Sequence, residues 1–206
     1  TNIYPEMKPA LERLSYRGYD SAGIAAVVDG SFSITKCVGH PEALEEIDIE
    51  SFSAIGHNRW ATHGLPTKGN AHPHLSNDNS IALVHNGIIE NYLDLKAFLA
   101  KEGFLFRSDT DTEVIPNLIQ FFYQKNKDLL HAVRSSFEMI HGAYAIVFMH
   151  RDYPESLFVA KLGSPICIGR AKNATYISSD INSLPMDTEK AAALEDNRFI
   201  QILSLI

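Results

Sequence analysis

The order of the predicted strands and helices constrains the fold of this chain more than any other feature of its sequence. Two β patterns, residues 21–28 and 31–38, flank Asp29-Gly30, a dipeptide typical of tight hairpins. Strands cluster early, helices lie in the middle, and strands return towards the end. Because strands and helices are segregated along the chain, the sequence predicts an α+β fold with antiparallel sheets.

Hydrophobic periodicity sets the predicted boundaries of the other elements. Helices are predicted at residues 5–14, 88–101, 113–125 and 131–140, and further strands at 53–58, 81–85, 143–149, 156–160, 166–169 and 175–178. Residues 64–79 are rich in Gly, Pro, Asn and His, which is typical of a loop.

Size and composition narrow the class of protein. The 206 residues fit one domain, and a hydrophobic content of 45% is enough for a substantial core. The net charge of −7 and the lack of basic runs argue against a nucleic-acid surface. No apolar stretch approaches the length of a membrane span, and no signal peptide is visible. With only two cysteines, Cys37 and Cys167, we expect no disulfide framework and a reducing, cytoplasmic location.

Four short motifs follow one another along the chain, and only their combination is specific. They are Tyr-Arg-Gly-Tyr-Asp-Ser-Ala-Gly at 16–23, Arg-Trp-Ala-Thr-His-Gly at 59–64, His-Asn-Gly at 85–87 and Thr-Asp-Thr-Glu at 110–113. Together they resemble the glutaminase domain of glutamine–fructose-6-phosphate aminotransferase (isomerising), a class II glutamine amidotransferase.

This resemblance implies the four-layer αββα fold of N-terminal-nucleophile hydrolases, in which two antiparallel sheets lie between helical layers. It implies one glutaminase domain over residues 1–206, without a metal or cofactor. L-glutamine would be hydrolysed to glutamate, and the ammonia would serve glucosamine 6-phosphate synthesis. Fructose 6-phosphate would be the acceptor in the full-length enzyme, which would form homo-oligomers through sugar-isomerase domains absent from this sequence.

Glutamine presents an α-carboxylate, an α-ammonium group and a side-chain amide, so its site needs a cation, an anion and oxyanion donors. Arg59 is the candidate cation, although an isolated arginine is more often in a surface ion pair. The resemblance assigns Arg59, the Thr62 hydroxyl and the backbone at His63 to the carboxylate. Trp60, the only tryptophan, either packs in the core or, as the resemblance implies, forms a gate.

Asn86 and Gly87 are the candidate oxyanion donors, through the Asn86 amide group and the Gly87 backbone N–H. An Asn-Gly pair is also a common hairpin turn. We favour oxyanion binding because the pair lies between a predicted strand and a predicted helix, where backbone donors are exposed.

Asp111 is the candidate partner for the substrate ammonium group. Spacing alone favours helix capping, because Asp and Thr are common immediately before a helix. The family motif makes substrate binding the preferred interpretation and leaves capping to Asp109 or Thr110.

Two further groups of residues have competing interpretations. Residues 16–20 form either a simple turn or, as the resemblance implies, a lid that carries Arg17 and Tyr19 over the substrate. Five histidines, whose ligand spacing fits zinc poorly, are interpreted as loop or core residues: His57, His63, His72, His74 and His85.

The family's nucleophile is an N-terminal cysteine whose own α-amine acts as the base. This chain begins with Thr1, which runs into a helical pattern, so Thr1 is a poor candidate nucleophile. Cys37 and Cys167 are predicted to be buried and inert. We expect the family's cysteine-bearing strand to align immediately before Thr1.

The first functional hypothesis is therefore a glutaminase domain. The alternative is a non-catalytic glutamine-binding module that lacks the cysteine. Amidophosphoribosyltransferase and asparagine synthetase share the implied fold, but the motifs at 16–23 and 59–64 fit them poorly.

Overall fold

The computed structural model describes residues 3–47 and 50–203. Within them the chain forms four α-helices and eleven strands. The helices are α1 (Tyr4–Arg13), α2 (Tyr92–Lys101), α3 (Val114–Asn126) and α4 (Leu129–Met139). The strands are β1 (Ser21–Val28), β2 (Ser31–Val38), β3 (Ala54–Arg59), β4 (His74–Leu75), β5 (Ile81–Ile89), β6 (Gly142–His150), β7 (Ser156–Leu162), β8 (Cys167–Arg170), β9 (Thr175–Ser178), β10 (Lys190–Ala193) and β11 (Arg198–Leu203).

The strands form three antiparallel sheets. The first has the order β2-β1-β3, the second β11-β7-β6-β5-β4, and a small third sheet β10-β8-β9. β1 and β2 pair along their full length across Asp29 and Gly30, whose φ angles are 50° and 73°. Positive φ at both central positions is the signature of a type I′ turn, so the predicted hairpin is confirmed.

Alternation along β1 places the first sheet between two layers. Ile24 and Ala26 face α1 and pack with Leu11, whereas Ala25 and Val27 face the second sheet. Because successive side chains point to opposite faces of a strand, one small-residue strand joins two hydrophobic cores.

Alternation along β5 continues the layering. Ala82 and Val84 face the first sheet, while Ile81 and Leu83 face the large core beneath α2, α3 and α4. The order of layers is α1, first sheet, second sheet, and the three central helices. This is the predicted αββα arrangement, within an α+β fold.

The main correction concerns residues 86–91. The predicted helix at 88–101 begins only at Tyr92, because β5 continues to Ile89, where it pairs with Gly142 of β6. Asn86 and Gly87 were predicted to lie between a strand and a helix. The structure places both inside β5, so that prediction is wrong. Periodicity missed this because a short apolar run at a strand end fits both templates.

Three strands were not predicted. β4 has two residues, and β10 is fully exposed, so neither shows an alternating hydrophobic pattern. β11 is held by pairing with β7, a contact distant in sequence. Among the described helices, none combines the length and hydrophobicity needed to cross a bilayer.

We predict that Phe148→Ala destabilises the domain strongly. Phe148 is fully buried and stacks on Phe158 with ring centroids 4.9 Å apart. Truncating such a ring costs about 3–5 kcal/mol, because transfer energy is lost and a cavity remains. Urea unfolding followed by circular dichroism measures the change. Phe52→Ala is the matched control, since Phe52 is 69% exposed and should change stability by about 0.5 kcal/mol at most. Equal losses in both variants would contradict the assigned core.

Candidate active site

A cavity of about 400 Å³ opens beside the last residue of β3 and the middle of β5. The predicted site residues that line it are Arg17, Arg59, Trp60, Thr62, His63, Asn86, Gly87 and Asp111. Tyr19 does not line it. The cavity therefore collects the four sequence motifs in one place.

Arg59 ends β3 and is buried, with 4% of its surface exposed. Its Nη1 donates to the Leu65 carbonyl at 3.3 Å, and its Nη2 donates to the carbonyls of His63 and Gly64. Burial lowers the pKa of Arg59, and the nearby carboxylates of Asp20 and Asp111 oppose that shift. The guanidinium thus remains a cation that shapes the following loop, and three of its five N–H donors are engaged by these carbonyls.

Asp20 fixes the other side of the same turn, a role that sequence reasoning missed. Its carboxylate accepts a hydrogen bond from the Ala61 backbone N–H at 2.8 Å, and its own N–H donates to the Arg59 carbonyl at 3.1 Å. Gly18 lies against this backbone, where an added Cβ would be 2.9 Å from the Trp60 nitrogen. The 16–23 motif therefore supports the 59–64 motif by direct contact.

Trp60 lines the cavity, and Tyr19 lies against Trp60. Trp60 is 60% exposed, so the core-packing interpretation of this residue is wrong. The Tyr19 ring stacks on His40 at 4.9 Å and meets the Trp60 ring edge-on at 6.1 Å. Arg17 donates from Nη1 to the Ser179 carbonyl at 2.9 Å. These contacts connect residues 17–19 to Trp60 and Ser179, which line the cavity.

Asp111 lines the cavity and is buried, with 5% exposure. Its Oδ2 accepts the Ile89 backbone N–H at 2.8 Å. Neither Asp109, Thr110 nor Asp111 caps α3, whose N-cap residue is Glu113 and has no side-chain cap bond. The capping interpretation of this motif is therefore wrong.

Glu113, the last residue of that motif, organises the loop instead. Its carboxylate accepts the backbone N–H groups of Arg107 and Ser108, and also the Ser108 hydroxyl at 2.7 Å. Asn70 braces the loop from the other side: its Oδ1 accepts the Asp109 N–H at 2.9 Å, and its Nδ2 donates to the Leu65 carbonyl at 2.9 Å. One buried amide thus joins the Arg59 loop to the Asp111 loop.

Gly87 has a φ angle of 132°, and an added Cβ would lie 2.0 Å from the Ala143 carbonyl oxygen. Only glycine fits this close approach of β5 and β6. The neighbouring Asn86 side chain accepts a hydrogen bond at Oδ1 from His57 Nε2, at 2.9 Å. Both predicted oxyanion residues therefore lie at the cavity wall in tightly constrained positions.

A cluster of four histidines underlies the wall: His72, His74 and His85 are buried, and His57 is partly buried. The His57 and His72 rings stack at 4.2 Å. Gly23 permits this packing, because a Cβ there would lie 2.2 Å from the His72 carbonyl oxygen. These histidines are core residues, one of the two interpretations made from the sequence, and no group suited to a metal ion is found in the described part of the chain.

A hydrogen bond fixes the tautomer of one histidine in this cluster, and burial keeps all four uncharged. His72 Nδ1 accepts the His85 backbone N–H at 3.3 Å, so the His72 proton resides on Nε2, which faces the Thr112 hydroxyl at 3.4 Å. Thr112 in turn contacts His85 Nδ1 at 2.9 Å. Burial lowers the pKa of His57 and of His85 to about 4, and holds the pKa of His72 and His74 well below the usual value. The imidazoles are therefore neutral at physiological pH.

Cys37 and Cys167 are unpaired and buried, as predicted. Burial raises the pKa of each thiol. Neither residue lines the cavity. Thr1, the other residue considered as a nucleophile, lies outside the described residues.

A sequence profile of the glutamine amidotransferase domain matches residues 57–186, more than half of the chain. The chain belongs to this family. Its relatives include glutamine–fructose-6-phosphate aminotransferase (isomerizing) of Clostridium acetobutylicum, 41% identical over 198 residues, and that of Chlamydia trachomatis, 46% identical over 185 residues. The alignments cover 94% and 88% of this amidotransferase domain but only 32% and 30% of those proteins. The chain thus spans about a third of their length.

A solved structure gives the same fold. Glutamine phosphoribosylpyrophosphate amidotransferase from B. subtilis, complexed with ADP and GMP, superposes with a TM-score of 0.72 at 26% identity. The match covers 95% of this domain and 45% of that chain. The predicted fold of N-terminal-nucleophile hydrolases is confirmed.

We predict that acidification destabilises the domain through its buried histidines. An unfolded histidine binds a proton near pH 6.5, but folded His57 does so only near pH 4, so the unfolded state binds more protons between these values. The stability present above pH 6.5 is therefore lost as the pH falls towards 4, by about 3 kcal/mol per histidine of this type.

Urea unfolding at pH about 7.5 and about 5 measures this loss. His57→Gln should reduce the difference in stability between the two pH values, because it removes a histidine whose pKa is lowered by burial. His131→Gln, at an exposed position, should leave the difference unchanged. A His57→Gln variant with the full pH dependence of the parent protein would contradict the assignment.

Proposed function

We propose that this domain hydrolyses L-glutamine to glutamate and supplies ammonia for glucosamine 6-phosphate synthesis in a longer aminotransferase. The observation that carries the proposal is the composition of one cavity wall. Arg59, Asp111 and the Asn86-Gly87 pair supply a cation, an anion and oxyanion donors around a single space. These are the three groups that complement the carboxylate, the ammonium and the amide of glutamine.

In the proposed complex, the substrate carboxylate faces the charge of Arg59 and the polar atoms of Thr62 and His63. The ammonium group faces Asp111, whose Oδ2 already accepts the Ile89 N–H and whose Oδ1 is within 3.5 Å of the Thr112 hydroxyl. A fixed carboxylate loses little conformational entropy on binding, which favours a charged partner over solvent.

The nucleophile proposed for the reaction is the thiolate of an N-terminal cysteine on a strand that precedes Thr1. In the order β2-β1-β3, the far edge of β3 is not paired with another described strand. A second cavity of about 620 Å³, lined by residues of α1 and β3, runs alongside that edge. An extended segment pairing there would end beside Arg59 and Asn86.

The thiolate would attack the amide carbon, and the oxyanion would accept hydrogen bonds from Asn86 Nδ2 and the Gly87 N–H. The carbon–nitrogen bond would then break, with a proton passing from the α-amine to the departing nitrogen as ammonia leaves. Water would hydrolyse the glutamyl thioester and restore the thiol. Removing one oxyanion donor from such a site typically costs about 10²–10³-fold in rate.

Arg17, Tyr19 and Trp60 are proposed to close over bound glutamine as a lid and a gate. The ties of Arg17 to Ser179 and of Tyr19 to His40 and Trp60 support this proposal, since they connect the residues to the cavity rim. Closure would keep water from the thioester until the ammonia has an acceptor. Fructose 6-phosphate as that acceptor, and assembly through sugar-isomerase domains, are proposals that rest on the family resemblance.

The natural full-length protein tests the proposal. We expect it to release glutamate from glutamine, and to form glucosamine 6-phosphate when fructose 6-phosphate is added. Glutamine binding by calorimetry without glutamate release would instead identify a non-catalytic binding module. If glutamate is released but no added sugar phosphate is aminated, the proposed acceptor is contradicted and the glutaminase reaction is not.

We predict that Asp111→Asn raises the KM for glutamine about 10–100-fold, because one charge-assisted hydrogen bond contributes about 1.5–3 kcal/mol. Glutamate release at varied glutamine concentration measures the change. Asp109→Asn is the matched control: it makes the same change of charge two residues away, at an exposed side chain outside the cavity. Similar KM values for both variants would remove Asp111 from the ammonium site.

A further inference from the structure

We propose that His57 is a positioning residue that holds the Asn86 carboxamide with its NH₂ group facing the cavity. This inference rests on the proposed function, because it assigns a purpose to Asn86 as an oxyanion donor. His57 lies on β3 and Asn86 on β5, so the contact also joins the two sheets at the cavity wall.

The carboxamide must be held because its two ends have opposite chemistry. Nδ2 donates and Oδ1 accepts, and a half-turn about the last side-chain bond exchanges them. With Oδ1 towards the cavity, Asn86 would repel a developing oxyanion. With Nδ2 towards the cavity, it would stabilise the oxyanion in a prepared orientation.

The contact with His57 selects the second orientation. His57 Nε2 lies 2.9 Å from Asn86 Oδ1, and a carboxamide oxygen only accepts hydrogen bonds, so the imidazole must donate. The other ring nitrogen, Nδ1, is buried and makes no hydrogen bond of normal geometry, although the His85 backbone lies near the ring and opposes the lowering of the His57 pKa. His57 is therefore required as the neutral tautomer that carries its proton on Nε2.

The His57 ring is itself held by stacking. It lies 4.2 Å from the His72 ring with an interplanar angle of 17°. His72 is tied at both nitrogens, to the His85 backbone N–H at 3.3 Å and to the Thr112 hydroxyl at 3.4 Å. The orientation of Asn86 is thus fixed through two rings by the backbone of β5 and by the loop that carries Asp111.

Steady-state glutaminase kinetics of the full-length protein test the inference. His57→Phe keeps a ring that stacks on His72 but has no donor, and His57→Gln replaces Nε2 with an amide N–H. We expect His57→Phe to lower kcat by about 10²-fold, with KM for glutamine changed less than about threefold. The reason is that the Asn86 amide positioned by His57 donates to the oxyanion and not to bound substrate. His57→Gln should restore most of kcat.

A double-mutant comparison separates positioning from general destabilisation. In an Asn86→Ala background, His57→Phe should cause no further loss of kcat, since the group that it positions has been removed. Equal losses in His57→Phe and His57→Gln, or losses that add to that of Asn86→Ala, would overturn the inference.

Nitrogen NMR of the histidine-labelled wild-type protein provides a test that needs no activity and no variant. We expect the His57 signals of a neutral ring protonated at Nε2, with the proton shared with Asn86. A His57 ring protonated at Nδ1 would overturn the inference even in an active enzyme. A protein without glutaminase activity but with the expected tautomer would contradict the proposed function and leave the His57–Asn86 contact established.

Discussion

The burial of one positive charge, Arg59, organises the loops around the cavity. A buried cation is stable only if polar groups surround it, because an apolar interior does not solvate a charge as water does. The carbonyls of residues 63–65 supply part of this environment, and the Asp20 and Asp111 carboxylates supply the compensating charge. The loops around the cavity therefore hold the positions in which their carbonyls and carboxylates compensate the Arg59 charge.

A second polar group, the neutral imidazoles of the histidine cluster, lies behind the cavity wall and makes hydrogen bonds of defined direction. A backbone N–H can only donate, so its bond to His72 Nδ1 determines where the His72 proton lies, and the Thr112 hydroxyl contacts both His72 Nε2 and His85 Nδ1. Such a network is costly to bury unless its members are paired. Its position between the two sheets, behind Asn86 and Gly87, indicates that it supports the residues of the cavity wall.

The fold was largely predictable where turn residues and hydrophobic periodicity, both local features of the sequence, determine the structure. The Asp29-Gly30 turn, β1, β2 and α3 emerged within a residue or so, because a type I′ turn and a strong hydrophobic period leave few alternatives. Prediction failed where pairing across the sheet outweighs local preference. β5 extends through Asn86-Gly87 only because β6 is there to receive it, and β11 is a strand only beside β7.

The same division applies to the site. The sequence by itself determined the family motifs, the hairpin and the identities of the charged and amide groups around glutamine, since residue types in a fixed order suffice for that. Only the tertiary structure decided that Asp111 accepts the Ile89 N–H and does not cap a helix, that Trp60 is exposed, and that His57, His72 and His85 pack in one network. The physical reason is that burial and hydrogen-bond partners depend on contacts between residues distant in sequence, which periodicity and spacing do not encode.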